Sequence, residues 1–137
     1  MPSIGKAFKT ELVAFLLAHP ALAALIDNRL WATRAPQKVD APYVVWQTVS
    51  GFESYAHDGP TGLEEGRVQF NIFAATSGAC EQIRDAIKDR IAGMNGALGA
   101  TVRVGFCFFD NDIDQDAGPS TNLHQKTIDF RFMASAP

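Results

Sequence analysis

Apolar residues recur every three or four positions at the start of the chain, which predicts a helix with one buried face over residues 3–18. The apolar positions with this spacing are Ile4, Phe8, Leu12, Phe15 and Leu16. Pro20 ends the helix and also begins a shorter one, because proline is favoured at the first position of a helix. The chain is therefore predicted to begin with two helices joined at a kink, followed by a short strand at residues 29–32.

Two long runs of β-branched and aromatic residues lie between Tyr43 and Ala75, on either side of a glycine and proline cluster at residues 58–62. This pattern predicts a β-hairpin. At about 3.3 Å per residue the hairpin would be about 50 Å long, more than a domain of this size covers. Its tip is predicted to project. Because a lone two-stranded ribbon is marginal in water, a projecting tip implies a neighbouring subunit or partner.

The second half of the chain predicts one helix and two strands. Thr76 or Ser77 can cap the helix, whose apolar side extends over residues 79–94. Strict alternation predicts a strand at residues 102–108 that buries Phe106 and Phe108, and a last strand at residues 123–133. Between these strands, residues 110–121 are predicted to form an acidic loop.

The predicted fold class is α+β, with a largely antiparallel (mixed) sheet, a long projecting β-hairpin and helices packed on one face. With 137 residues, 47% of them hydrophobic, the chain is long enough for one core and too short for two ordinary domains. We therefore expect a single domain over residues 1–137.

The charge balance argues against nucleic acid or an anionic membrane as the main partner. Twelve Lys and Arg against fifteen Asp and Glu give a formal net charge of −3. Cys80 and Cys107 have neither disulfide-framework nor zinc spacing, so we interpret them as small buried apolar residues of a protein made in a reducing cytoplasm. The first apolar run loosely resembles a signal peptide, but His19-Pro20 interrupts it and an amphipathic helix accounts for it.

No pattern in the chain points to catalysis or to a bound cofactor or metal. Residues 110–116 place oxygen side chains at alternate positions, as a calcium loop does, but Gln115 stands where such a loop needs glycine and Thr121 where it needs glutamate. The three histidines, at positions 19, 57 and 124, lack metal-binding spacing. We therefore expect no enzyme activity, cofactor or metal.

Five segments resemble one known family: Arg34-Ala35-Pro36, the run from Ala41-Pro42 to Trp46, the Asp58-Gly59-Pro60 turn, the run from Arg67 to Ala74, and Ile128-Asp129-Phe130-Arg131. Together with the predicted helices, they resemble the tail-terminator family of long-tailed bacteriophages and gene transfer agents, also called tail-completion or tail-to-head joining proteins. The resemblance extends over nearly the whole chain. It is carried by strand and turn patterns rather than by reactive residues.

The resemblance implies a structural virion or gene-transfer-agent protein that caps the head-proximal end of the tail tube as a ring. Such a ring ends tube polymerisation and offers a docking surface to the head connector. The implied partners are five further copies in a homo-hexamer, the tail-tube protein and the head connector or adaptor, while DNA passes through the lumen without specific binding and no membrane is involved. The implied location is the tail or neck of a particle assembled in the host cytoplasm.

Two candidate surfaces follow from these expectations. The first is a subunit or tube interface at the hairpin tip: Glu53, Tyr55, His57, Asp58, Leu63, Glu64 and Glu65. The second is a lumen or connector face, where negative charge would repel passing DNA: Asp110, Asp112, Asp114 and Asp116. Alternative functions are another neck or tail protein, either a head-completion adaptor or a tail-tube subunit, and a small α+β ligand-binding domain or enzyme.

Overall fold

The computed structural model describes residues 5–56, 59–116 and 122–135, and side chains within 6–49, 65–115 and 122–135. The described residues form three helices and six strands. The helices are α1 (Gly5–Leu17), α2 (Pro20–Ile26) and α3 (Ser77–Ile91). The strands are β1 (Leu30–Ala32), β2 (Tyr43–Ala56), β3 (Gly59–Ala74), β4 (Gly96–Ala97), β5 (Arg103–Asp116) and β6 (His124–Ser135).

Local sequence explains where the helices begin and end. α2 begins after His19, whose backbone is in the β region, and Pro20 occupies its first helical position. Thr76 caps α3, because its side-chain oxygen accepts a hydrogen bond from the Ala79 N–H at 3.1 Å. Gly93 follows α3 with a φ of 77°, a conformation that glycine adopts without steric cost.

The six strands form one mixed sheet in the order β1-β2-β3-β6-β5-β4. The pairs β2–β3, β3–β6, β6–β5 and β4–β5 are antiparallel, and β1 pairs with β2 in parallel. The sheet and the helices together confirm the α+β prediction.

The core lies between the helices and one face of the sheet. Phe8 of α1 stacks on Phe132 at a centroid distance of 4.5 Å. Phe130 forms T-shaped contacts with Phe70 and Phe109, at centroid distances of 5.8 and 5.4 Å. As predicted, the apolar row of β3 is buried: Val68, Phe70, Ile72 and Ala74. The opposite face, which we call the bare face, carries the alternating residues of the same strands, among them Gln69 and Asn71.

The predicted inward face of the strand after α3 was wrong beyond Val104. A register shift between Val104 and Phe106 inserts one residue, and this bulge moves the side chains that follow it to the other face, as far as the second register shift after Phe109. As a result Cys107 is buried and Phe109 packs against the core, whereas Phe106 is half-buried and Phe108 is 50% exposed on the bare face.

The predicted acidic loop was also wrong in its first half, because residues 110–116 continue β5 in register with β6. Alternating side chains that each find a partner across the strands favour extended pairing over a loop. The predicted turn cluster was placed too widely, since Gly59, Pro60 and the two residues that follow belong to β3.

The central hairpin consists of β2 and β3, paired from Tyr43 and Phe73 to Ala56 and Gly59. Its turn residues 57 and 58 lie outside the described residues. β6 runs beside β3 from Ala74 to Leu63, so most of the hairpin belongs to a sheet of at least three strands. The projection of its tip onto a neighbour therefore stays a prediction.

Among the described residues, no single helix has the length and apolar character to cross a membrane. Residues 6–17 of α1 and the whole of α2 pass that test together, but they are bent by 89° at the break between them.

Candidate assembly surface

The described residues of the predicted tip lie at one end of the sheet, in β2 and β3. Glu53 is paired with Glu64, and Tyr55 with Pro60. Leu63 is the last residue of β3 that is paired with β6, opposite Ser135. His57 and Asp58 lie outside the described residues, and the side chains of Glu53, Tyr55, Leu63 and Glu64 are not described.

Glu65 is the one predicted tip residue with a described side chain. It is half-buried and stands opposite Phe52 on one side and Met133 on the other. The structure thus brings the described backbone of the predicted tip together at one end of the sheet.

The predicted acidic residues do not share one surface. Asp112 and Asp114 face α3, where they surround the ammonium group of Lys126. Its Nζ lies 2.7 Å from a carboxylate oxygen of each, and 2.9 Å from one of Glu81. Arg84 of α3 joins this cluster at 2.9 Å from Asp112. The Lys126 side chain is only 3% exposed, so the cluster connects α3 to β5 and β6 around a buried cation.

The electrostatics of the Lys126 cluster favour the charged forms. Burial lowers the pKa of Lys126, but hydrogen bonds to Asp112, Asp114 and Glu81 outweigh it and hold the pKa above its ordinary value. Burial likewise raises the pKa of Asp112, and the hydrogen bonds from Lys126 and Arg84 bring it below its ordinary value. Lys126 and Asp112 therefore form a pair of opposite charges at neutral pH.

Asp110 lies on the bare face instead, in the second register shift of β5. Its carboxylate pairs with Arg67 of β3 and lies 3.6 Å from Arg131 of β6. Arg67 also lies 3.9 Å from the buried Asp129. Asp116 stands opposite His124 at the end of β5, and its side chain is not described. Each predicted acid with a described side chain thus has a basic partner.

Amide and hydroxyl side chains cover the middle of the bare face. Gln47 donates to Gln69 at 3.1 Å across β2 and β3. The Thr127 hydroxyl lies 2.9 Å from the side-chain oxygens of both Asn71 and Gln115, which links β3, β6 and β5. These side chains are polar but uncharged, so the middle of the bare face carries no strong net charge.

Sequence reasoning missed several residues that matter here. Lys126 continues the inward alternation of Ile128 and Phe130, and extending that alternation by one step would have placed a lysine in the core. Among the side chains that the structure describes, three large apolar ones are exposed, on β2 and β5: Val49 (48%), Phe108 (50%) and Ile113 (43%). Their exposure was not predicted from the sequence, because the bulges in β2 and β5 break the alternation of buried and exposed positions.

Both cysteines are buried. Burial raises the pKa of Cys107 to about 12 and also raises that of Cys80, so neither thiol is a ready nucleophile. The Cys80 thiol lies in a buried site beside the backbone carbonyl of His124, at 3.5 Å. No group of three or more metal-ligating side chains is found in the part of the chain that the structure describes.

Comparisons with known proteins agree with this picture. The family described as "Tail completion protein gp17" matches residues 10–135. A chain of the solved "Virion of native gene transfer agent (GTA) particle" has the same fold, with a TM-score of 0.70 and 15% identity. That match covers 90% of this chain and 94% of the other. In the comparison with curated proteins, none matches.

Because the family match spans nearly the entire chain, the protein belongs to the tail completion protein family. It is a structural protein of the tail region of a virus-type particle, as the resemblance implied.

Proposed function

We propose that this chain closes the head-proximal end of a phage or gene-transfer-agent tail tube as a homo-hexameric ring. The ring ends tube polymerisation and presents the surface on which the head connector docks. The family match over residues 10–135 carries the proposal. The two-layer fold supports it, since a sheet with helices on one face leaves a broad polar face and two sheet edges for assembly contacts.

Removing this chain from a particle-producing cell tests the proposal. Without a terminator, tail tubes are expected to exceed their normal length and to stay unattached to heads. Supplying the chain from a plasmid should restore normal lengths. Tails of normal length that still join heads in the absence of the chain would overturn the proposal.

A tail-tube subunit is the alternative that this experiment separates from a terminator. Loss of a tube subunit leaves no tubes, whereas loss of a terminator leaves long ones. A head-completion adaptor would give a third result, with tails of normal length that fail to attach.

Within this function, we assign the hairpin tip to a contact with the neighbouring subunit or the tail tube. The described backbone of the tip lies at one end of the sheet, with Glu53 opposite Glu64. A variant lacking residues 54–64 tests the assignment by native mass spectrometry and by electron microscopy of capped tubes. Intact rings that still cap tubes would contradict it.

Of the predicted acidic residues, we assign Asp110 to a lumen or connector face. Asp112 and Asp114 are occupied by Lys126 on the helix side, whereas Asp110 lies on the bare face. Paired with Arg67 and Arg131, Asp110 would help to keep that face near neutrality, so that DNA passes without sticking. Changing Asp110 to Asn should slow DNA delivery, because Arg131 loses this partner and Arg67 keeps only the contact with Asp129, at 3.9 Å. Unchanged delivery would contradict the assignment.

A further inference from the structure

Two long strand edges have no neighbouring strand among the described residues. β1 pairs only with Val44–Trp46 of β2, and Thr33 donates a last hydrogen bond to Trp46. Residues 47–56 of β2 therefore form an open edge. On the other side of the sheet, β4 pairs only with Arg103 and Val104, and Gly93 donates to the Cys107 carbonyl at 2.7 Å. Residues 108–116 of β5 form a second open edge.

The exposed apolar side chains of the described chain coincide with these edges. Val49 lies on the β2 edge, and Phe108 and Ile113 lie on the β5 edge. An exposed edge that carries apolar side chains is a template for pairing with another chain. Because all three exposed apolar side chains lie on these two edges, we expect both edges to be covered in the assembled protein.

We propose that the β2 edge of one copy pairs with the β5 edge of the next copy, so that the sheets join into a closed ring. This inference rests on the proposed ring and identifies the contact that forms it. Successive antiparallel pairings from β2 through β3 and β6 make β2 and β5 antiparallel to each other. A sheet that continues into the next copy therefore joins them as an antiparallel pair, and the contact uses two different surfaces, as a closed ring requires.

One register fits the side chains of the two edges. It places Gln47 opposite Gln115 and Val49 opposite Ile113, so that amide meets amide and two of the three exposed apolar residues cover each other. In this register Phe108 stands opposite Ser54. The short strands do not cover the paired segments. β1 pairs with residues 44–46 of β2, which precede Gln47, and β4 pairs with residues 103 and 104 of β5, which precede Phe108.

The same register gives the sheet the slope that a closed barrel needs. Within one copy, Gln115 of β5 and Tyr43 of β2 lie in the same row across the sheet. The successive strand pairs that connect them are Gln115–Gln125, Gln125–Phe73 and Phe73–Tyr43. Pairing Gln115 with Gln47 of the neighbour shifts the sheet by four residues, about 13 Å, over four strand spacings, about 19 Å. The resulting tilt of about 35° lies in the range for closed barrels.

Six copies joined in this way would enclose a barrel of roughly 45 Å diameter at the backbone. The helical layer would lie outside, where the circumference is larger, and the bare face with its amides would line the bore. The described carboxylates of β5 do not oppose the contact, because Asp110, Asp112 and Asp114 are each paired with a lysine or arginine.

Disulfide trapping tests the contact. Val49→Cys and Ile113→Cys are made separately, mixed, assembled alone and on tail tubes, and oxidised with copper phenanthroline. The native Cys80 and Cys107 are buried and serve as an internal background. The matched control mixes Val49→Cys with Asp85→Cys, whose side chain is 64% exposed on α3. Gln47→Cys with Gln115→Cys is a second pair in the same register.

The expected result is a covalent dimer at least tenfold more abundant than in the control mixture, with no crosslinked product from either variant alone. A chain carrying both changes should give a ladder that ends at the ring. Native mass spectrometry of the same samples shows whether rings form, which separates the proposed ring from the proposed edge contact. Rings that form but do not crosslink at either pair, or single variants that crosslink to themselves, would overturn the edge contact. The absence of any ring, alone or on tubes, would overturn the proposed function as well.

Discussion

Replacing Lys126 with methionine is the most informative change in the fold. Methionine keeps the length and the apolar part of the side chain but removes the cation that Asp112, Asp114 and Glu81 surround at 2.7, 2.7 and 2.9 Å. Three carboxylates would then lie close together with only Arg84 for compensation. Like charges at this separation repel, and Asp112 would lose one of its two strong partners.

The magnitude follows from burial. Breaking a buried ion pair by removing one partner costs about 3–5 kcal/mol. Here the cost is reduced, because the side chains of Asp114 and Glu81 are 77% and 39% exposed and can turn to water. We expect a loss of about 2–3 kcal/mol in the free energy of unfolding, measured by urea denaturation.

A double variant separates the charge effect from packing. With Asp112 also changed to Asn, the loss should be smaller than the sum of the two single losses by about 1 kcal/mol or more, since the interaction has already been removed. Strict additivity, or a loss below about 0.5 kcal/mol for the lysine change alone, would refute the claim that this cluster connects α3 to the sheet.

Four smaller predictions follow from other contacts. Gly99→Ala would place its new Cβ against the Glu11 side chain, which accepts hydrogen bonds from two backbone N–H groups. Urea denaturation should therefore show a loss of about 1–2 kcal/mol in the free energy of unfolding. The control Gly78→Ala has open space around the new Cβ and should stabilise α3 slightly. Thr76→Ala removes the cap of α3 and should cost about 1 kcal/mol, seen as a lower melting temperature. Burial that raises the pKa of Cys107 to about 12 should leave it unreactive toward iodoacetamide at pH 8 until the protein is unfolded, and rapid native alkylation would contradict its placement. Because the folded pKa of Asp112 is lowered, its stabilisation is present above the unfolded pKa of about 4 and is lost as pH falls further, so an Asp112→Asn variant should show a shallower loss of stability below pH 4 than the wild type.

The sequence predicted the fold wherever periodicity was regular. The alternation of Val68, Phe70 and Ile72 gave the buried face of β3, and the helical spacing around Ile83 and Ile87 gave the buried side of α3. These patterns hold because each side chain must reach one core, and regular strands and helices repeat that constraint at fixed intervals.

Prediction failed where the backbone departs from regular geometry or where charge replaces apolar packing. The bulge after Val104 reversed the faces of Phe106 and Phe108. Gly105 lies at this bulge, and an isolated glycine in a strand pattern is the sequence signal that could have indicated it. Asp112 and Asp114 suggested a loop because their partners, Lys126 and α3, are distant in sequence. The open strand edges depend on which strands become neighbours, and the order β2-β3-β6-β5 cannot be deduced from local patterns.

Adding the purified chain to tail-tube subunits during polymerisation tests the central claim most directly. Tube lengths and tube ends are measured by electron microscopy, with and without the chain. If the chain terminates tubes, they should stop growing soon after it is added, with a ring of this protein at one end only. Tubes that continue to lengthen at the same rate, or protein incorporated along their length, would contradict the claim.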